Sequence, residues 1–164
     1  TLFPYTTLFR SCDGGHILCI MLEGVKMRLL ELRGLPVAVL IDFVHKHGGI
    51  LGPAHPCGGK YLSFTNTKRY YKSPELFKRF DFIEVFNACE SAESNARALK
   101  LAQKYKKPGI GGSDAHRPNC VGMGYTILPE RVTCETELIA LIRSKSSVIE
   151  TGGSLYGKIG RAHV

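Results

Sequence analysis

Short apolar runs along the chain are separated by stretches with helical spacing, and together they predict strands alternating with helices. The segment 14–21 predicts a buried strand that begins at a glycine pair. Pro36 then begins a stretch whose apolar residues recur at helical spacing, and the glycines at 48 and 49 end it. The segment 50–55 predicts the next strand, which runs into a loop.

The second half of the chain continues the same alternation. Apolar periodicity predicts strands at 82–86, 121–128 and 147–150, and helices at 73–80, 91–106 and 135–144. Strands that alternate with helices of this length are typical of βαβ units. The pattern therefore favours a parallel α/β sheet or barrel.

Composition places the chain among globular proteins and leaves its charge as the informative feature. Its 164 residues are 44% hydrophobic, and the mean hydropathy is −0.03, which excludes a disordered protein. No apolar run approaches the ~18 residues that a membrane span requires, so we expect no membrane association. The net charge of +8 suggests an anionic partner such as phosphate or nucleic acid.

Both ends of the chain read as translated sequencing adapter. One frame of a common adapter encodes residues 1–11, and the opposite adapter encodes residues 158–164. We therefore expect both segments to be artefacts that pack poorly, and residues 12–157 to be the gene-derived part. Removing Arg10, Lys158 and Arg161 lowers the net charge from +8 to +5, which weakens the case for a nucleic-acid partner.

Four residues with metal-binding side chains lie at the tips or ends of predicted strands: His16, His55, Asp114 and His116. Reactive groups of a β/α barrel converge at the carboxyl ends of its strands. Asp114 and His116 are two residues apart, so an extended backbone would point both into one cavity. Imidazole and carboxylate together suit Zn, Mn or Fe. Each histidine taken alone is more often a hydrogen-bonded core or surface residue.

Several of these residues belong to motifs that resemble one known family. The segments ILGPAHP at 50–56, FIEVFN at 82–87 and GGSDAH at 111–116, followed by VGMGYT at 121–126, are similar to the later motifs of the PHP (polymerase and histidinol phosphatase) domain of metal-dependent phosphoesterases. The resemblance covers nearly all of residues 12–157. The AHP and SDAH motifs are specific when they occur together.

The resemblance implies a distorted (β/α)7 barrel with up to three divalent metal ions, Zn, Mn or Fe, at its carboxyl-end face. His55 matches the ligand of the AHP motif, and Asp114 and His116 match the final ligand pair. His16 resembles the ligand that follows the family's glutamate strand. Arg117 could contact a phosphate oxygen of the substrate, although a solvated loop arginine is an equal interpretation.

The implied function is hydrolysis of a phosphomonoester or small nucleotide-type substrate by metal-activated water. The family's first histidine motifs and its metal-bridging glutamate have no counterpart here, and they would lie before Cys12. We therefore expect an incomplete barrel that lacks its N-terminal strands and is inactive as this chain. The alternative is a non-catalytic PHP-like module that binds or scaffolds within a larger protein.

Three further signals carry weaker interpretations. The basic, aromatic stretch from Lys60 to Lys72 resembles single-strand nucleic-acid binders, but also a solvated loop over a site. Glu84 lies in a predicted strand, where we interpret it as a carboxylate at the edge of the core. The six cysteines form no Cys-x-x-Cys pair, so we expect reduced thiols in a cytoplasmic protein.

Overall fold

The computed structural model describes residues 7–11, 13–25, 34–59, 62–144 and 150–156. Within these residues strands and helices alternate along the chain as the pattern predicts. The strands are β1 (Thr7–Ser11), β2 (Gly15–Ile20), β3 (Ile50–Pro53), β4 (Ile83–Asn87), β5 (Gly109–Gly112), β6 (Gly124–Thr126) and β7 (Thr151–Gly153). The helices are α1 (Val37–Lys46), α2 (Lys68–Lys72), α3 (Ala92–Tyr105) and α4 (Glu135–Ser144).

The strands form three small sheets of mixed direction. Strands β1, β2 and β3 are antiparallel, β4 and β5 are parallel, and β6 and β7 are antiparallel. The α/β class is confirmed, whereas the predicted parallel sheet holds only for the pair β4–β5. Among the described residues no sheet closes into a barrel, so the (β/α)7 architecture is not confirmed.

The path of the chain between β2 and β3 explains why these strands are antiparallel. The backbone N–H of Val37 donates to Asp13 Oδ1 at 2.7 Å, which places the start of α1 beside the start of β2. The helix then runs alongside β2, and Gly49 lies against Met21 at the far end. Because the chain returns before the helix begins, β3 must run back along β2.

The segment expected to pack poorly is in fact paired along part of its length. Residues Thr7–Ser11 form β1, in which Phe9 lies opposite Ile17 of β2. This backbone pairing was not expected, and it is possible because a strand edge accepts a neighbouring extended segment through its N–H and C=O groups. Residues 1–6 and 158–164 lie outside the described part of the chain.

Two apolar layers cover opposite faces of the strands. On one face, α1 buries Val37, Leu40, Ile41 and Val44 against the odd-numbered residues of β2. On the other face, α4 packs Leu138, Ile139, Leu141 and Ile142 against Ile20, Ile50 and Phe82. Successive strand residues point to opposite faces, so β2 and β3 contribute to both layers.

Aromatic side chains anchor the segment that the sequence suggested was a solvated loop. Phe64 is fully buried, and its ring meets those of Phe77 and Phe80 edge to face at 5.0 and 5.2 Å. Tyr105 of α3 stacks on Phe77 at 5.2 Å. The predicted helix 73–80 is present as a 3-10 helix, Pro74–Arg79, which positions these rings.

Element boundaries agree best where a cap or a proline sets them. The side chain of Ser91 accepts from Ser94 N at the start of α3, and Lys106 takes a left-handed conformation at its end.

The last two predicted strands differ from the structure in their bounds. The predicted strand 121–128 is present only as the shorter β6. The last strand lies at Thr151–Gly153, and residues 147–149 of the predicted strand 147–150 lie outside the described part. None of the described helices has the length and apolar character to cross a membrane.

Replacement of Phe77 by alanine tests the aromatic cluster. The Phe77→Ala variant removes a fully buried ring that contacts four other rings. We therefore expect the free energy of unfolding to decrease by about 3–5 kcal/mol. Urea unfolding followed by circular dichroism measures the change. Tyr71→Ala, at a side chain that is 75% exposed, serves as the control and should change stability by less than about 1 kcal/mol. Equal losses in both variants would contradict the packing.

Candidate functional site

A cavity of about 510 Å³ lies between the strands and α4. We call it the central cavity. It has a polar end, formed by His55, Glu84, Asn87, Ser113 and Asp114, and apolar walls. The apolar walls are lined by Leu18, Ile20, Ala54, Ile110, Leu128, Leu138 and Ile142, and the remaining lining residues are glycines 111, 112 and 124 and Thr126.

His16 and His55 are in direct contact at the edge of the first sheet. His16 Nδ1 lies 3.0 Å from His55 Nε2, and one of the two nitrogens carries the shared proton. Both side chains are buried, and His55 Nδ1 also lies 3.2 Å from Ser63 Oγ. The antiparallel pairing causes this contact, because it brings the start of β2 beside the end of β3.

Glu84 is one residue of the site whose role the sequence interpretation missed. It is buried on β4, and its Oε2 accepts hydrogen bonds from the backbone N–H of His55 at 2.6 Å and from Asn87 Nδ2 at 3.0 Å. Burial raises the pKa of Glu84 from 4.5 to about 7, the two hydrogen bonds lower it, and the charges of Asp114 and Glu90 add to the rise. The sequence did contain a signal for this role, since Glu84 is an acidic residue within the otherwise apolar predicted strand 82–86.

Asn95 of α3 fixes the end of β4 and thereby the partner of Glu84. Its side chain accepts from the backbone N–H of Asn87 at 3.0 Å and donates to the carbonyl of Asn87 at 3.1 Å. The Asn87 side chain is therefore held where it donates to Glu84 and accepts from Cys89 N. Sequence reasoning assigned no role to either asparagine.

Asp114 lines the central cavity, but His116 does not. Asp114 has a left-handed backbone with φ of 47°, and the chain turns outward after it. His116 is 81% exposed, and its Nε2 lies 3.7 Å from Asp114 Oδ1. The expectation that both side chains share a cavity assumed an extended backbone, which the conformation of Asp114 interrupts. Arg117 is also exposed.

Backbone strain coincides with two of the predicted ligands. Among the described residues other than glycine, positive φ occurs at His55, Lys106 and Asp114. Lys106 ends a helix, where this conformation is common. His55 and Asp114 follow strands at the cavity instead, and such conformations concentrate at functional sites because the surrounding structure must hold them.

The structure brings the predicted ligands together only in pairs. His16 contacts His55, and His116 approaches Asp114. In the described parts of the chain no group of three or more His, Cys, Asp or Glu side chains has the arrangement to hold a metal ion. The predicted ligands therefore do not form a complete metal centre here.

The basic stretch has structural partners for part of its length. Arg69 pairs with Asp13 at 2.6 Å, and Tyr70 packs edge to face against Phe64. Lys68, Tyr71 and Lys72 are exposed. Residues 60 and 61 lie outside the described part. The described cysteines are free thiols, namely Cys19, Cys57, Cys89, Cys120 and Cys134.

The fold and the site together define a mixed α/β protein with an imidazole- and carboxylate-lined cavity at its strand ends. Residues 92–147 match the family model described as PHP-associated, a range that includes α3, β5 and the SDAH motif. This match, over about a third of the chain, agrees with the resemblance to the PHP family that the motifs indicated. Searches of curated proteins and of solved structures found no match to this chain.

The raised pKa of Glu84 predicts a specific pH dependence of stability. The folded state favours the protonated carboxyl, so this stabilisation is complete below pH 4.5 and is lost as the pH rises through about 7. The loss is on the order of 3 kcal/mol. Relative to Glu84→Gln, the wild type should therefore become less stable between pH 4.5 and 7 in urea unfolding. Glu130→Gln, at an exposed carboxylate, is the control. A Glu84→Gln curve parallel to the wild type would disprove the assignment.

Removal of the Asn95 side chain should destabilise the end of β4. Asn95→Ala leaves the N–H and C=O of Asn87 without these partners, and Asn87 is 1% exposed. We expect a loss of about 1–3 kcal/mol in the free energy of unfolding. Gln103→Ala, at an exposed position on the same helix, should be neutral within about 0.5 kcal/mol. An Asn95→Ala variant as stable as this control would show that the hydrogen bonds of Asn95 to Asn87 contribute nothing to the stability of the fold.

Proposed function

We propose that the central cavity is the active-site region of a metal-dependent phosphoesterase. One observation carries the proposal: His55 and Asp114, predicted ligands from separate motifs, line the polar end of the same cavity. The PHP-associated match over residues 92–147 supports this class of activity. The proposed substrates are phosphomonoesters or small nucleotide-type esters.

The chemistry of the polar end suits a divalent cation. Glu84 is buried, its hydrogen-bond donors are the neutral groups of His55 N and Asn87, and the charge of Asp114 opposes its ionisation. A cation placed among these groups would offset two carboxylates that otherwise repel each other. Imidazole beside carboxylate fits Zn, Mn or Fe better than it fits Ca. This donor set supports part of a metal centre, in agreement with the pairs described above.

In this proposal each residue has a defined role. Asp114 and His55 would hold the ion, the ring of His55 exchanging its contact with Ser63 Oγ for the metal, and His16 and His116 lie beside these two ligands. When bound, a divalent ion supplies Lewis-acid chemistry, because it acidifies water and stabilises negative charge on phosphate oxygens. His116 and Arg117, on the exposed turn beside Asp114, would reach the phosphate from the solvent side. The imidazole of His116 could then protonate the leaving oxygen.

We also propose that the three small sheets are consecutive parts of the wall of an incomplete (β/α)7 barrel. Strand β3 contacts β4, and β5 contacts β6 and β7, so the strands follow one another in chain order. A barrel wall requires this order and also parallel strands, a condition that the pair β4–β5 meets and the other described pairs do not. We place the enzyme in the cytoplasm, which the free thiols of the described cysteines support.

A second candidate function is a non-catalytic PHP-like module. The observation that favours it is the absence of a three-ligand group in the described residues. A module of this kind would keep the fold and the cavity without binding a metal ion. Metal binding therefore discriminates between the two proposals.

Titration of the whole chain with Mn²⁺ tests the first proposal. We expect calorimetry at pH 8, where Glu84 is ionised, to detect binding that Asp114→Asn weakens by about tenfold or more. Glu130→Gln, at an exposed carboxylate that does not line the cavity, should leave the affinity unchanged within about twofold. Absence of Mn²⁺ binding to the wild type, or equal effects of both variants, would favour the non-catalytic module.

A further inference from the structure

The central cavity is larger and more apolar than a phosphate group requires. Its volume of about 510 Å³ is within the range of small-molecule sites, whereas its ionisable lining is confined to His55, Glu84 and Asp114. Most of the remaining wall is hydrocarbon, contributed by side chains from several elements: Leu18, Ile20, Ile110, Leu128, Leu138 and Ile142. The cavity therefore has space for a second, apolar part of a ligand.

Glycines form part of the cavity lining. Because Gly111, Gly112 and Gly124 line the cavity, part of its wall is backbone without side chains. A Cβ at Gly112 would lie 2.6 Å from Glu84 Oε1, and one at Gly124 would lie 2.1 Å from the carbonyl oxygen of Gly112. A side chain at either position would therefore force its neighbours to move.

The lining also disfavours polar organic groups. None of the residues that line the cavity in the described structure is Lys or Arg, and the apolar walls offer no partners to sugar hydroxyls. A polyol would lose its hydrogen bonds to water on entering and would find few replacements. An aromatic ring would instead bury its surface against Leu128, Leu138 and Ile142.

We propose that the apolar part of the central cavity binds the alcohol portion of the substrate and selects an aromatic, uncharged one. The inference rests on the proposed phosphoesterase function and specifies its substrate class as aryl-type phosphomonoesters. Hydrolysis of such an ester adds water across the P–O bond and releases orthophosphate and the aromatic alcohol. The alcohol occupies the apolar walls, and the phosphate lies at the polar end beside Asp114.

Binding measurements with three probes test the proposal on the whole chain. The probes are 1-naphthol, 1-naphthyl phosphate with and without Mn²⁺, and glycerol 2-phosphate. We expect 1-naphthol to bind without metal, because the apolar walls alone hold it. We expect 1-naphthyl phosphate to bind only with Mn²⁺, since Glu84 and Asp114 repel its charge, and to bind at least about tenfold more tightly than glycerol 2-phosphate.

Two neighbouring residues provide a matched pair of variants. Leu128 lines the cavity and is half-buried, whereas Ile127 is 42% exposed and does not line it. Leu128→Gln should weaken 1-naphthol binding by about tenfold, and Ile127→Gln should change it by less than about twofold. Leu18→Gln, at a second half-buried lining residue, repeats the test if Leu128→Gln fails to fold by circular dichroism.

The outcomes separate this inference from the proposed function. Loss of 1-naphthol binding in the cavity variants, with normal binding in Ile127→Gln, supports the inference. Failure of 1-naphthol to bind, or equal effects of Leu128→Gln and Ile127→Gln, overturns the inference even where Mn²⁺ still binds. A third outcome is normal 1-naphthol binding with 1-naphthyl phosphate binding that does not depend on Mn²⁺. In that case the proposed phosphoesterase function fails and the assignment of aryl phosphates as substrates fails with it. The cavity is then only a site that binds aromatic compounds.

Discussion

The buried carboxylate of Glu84 is the constraint around which the site is built. Its two hydrogen bonds join the end of β3, through His55 N, to Asn87 at the end of β4. On the side of β5, a Cβ at position 112 would lie 2.6 Å from Oε1, so a side chain there would force the carboxylate to move. One side chain thus links the end of β3 to β4, two strands of separate sheets, while β5 pairs directly with β4. Since burial raises the pKa of this carboxyl to about 7, its presence opposes stability at neutral pH.

A second constraint determines which residues meet at that site. The bond from Val37 N to Asp13 Oδ1 returns the chain to the start of β2 before α1 begins. The antiparallel β3 that follows ends where β2 starts, so His55 meets His16 at 3.0 Å. If β2 and β3 were parallel, the start of β2 and the end of β3 would lie at opposite ends of the strands, and the two histidines would not meet.

The polar and apolar ends of the central cavity are stabilised differently. The apolar walls belong to the layer that α4 buries against β2 and β3, so they form together with the core. The polar end depends on strained backbone at His55 and Asp114 and on the hydrogen bonds of Asn87 and Asn95. A ligand with an apolar part and an anionic group matches these two ends, provided that a cation offsets the negative charge of the carboxylates.

Local pattern in the sequence determined the α/β class, the helices α1, α3 and α4, and the candidate residues His16, His55 and Asp114, because periodicity, caps and motifs are properties of short segments. It misplaced the side chain of His116, which lies outside the cavity because the left-handed backbone of Asp114 breaks the alternation on which the expectation depended. It also gave Glu84, Asn87 and Asn95 no role, because their importance comes from contacts between β4, α3 and the end of β3. Only the tertiary structure decided strand direction and the contents of the cavity, because both depend on which distant segments pack together.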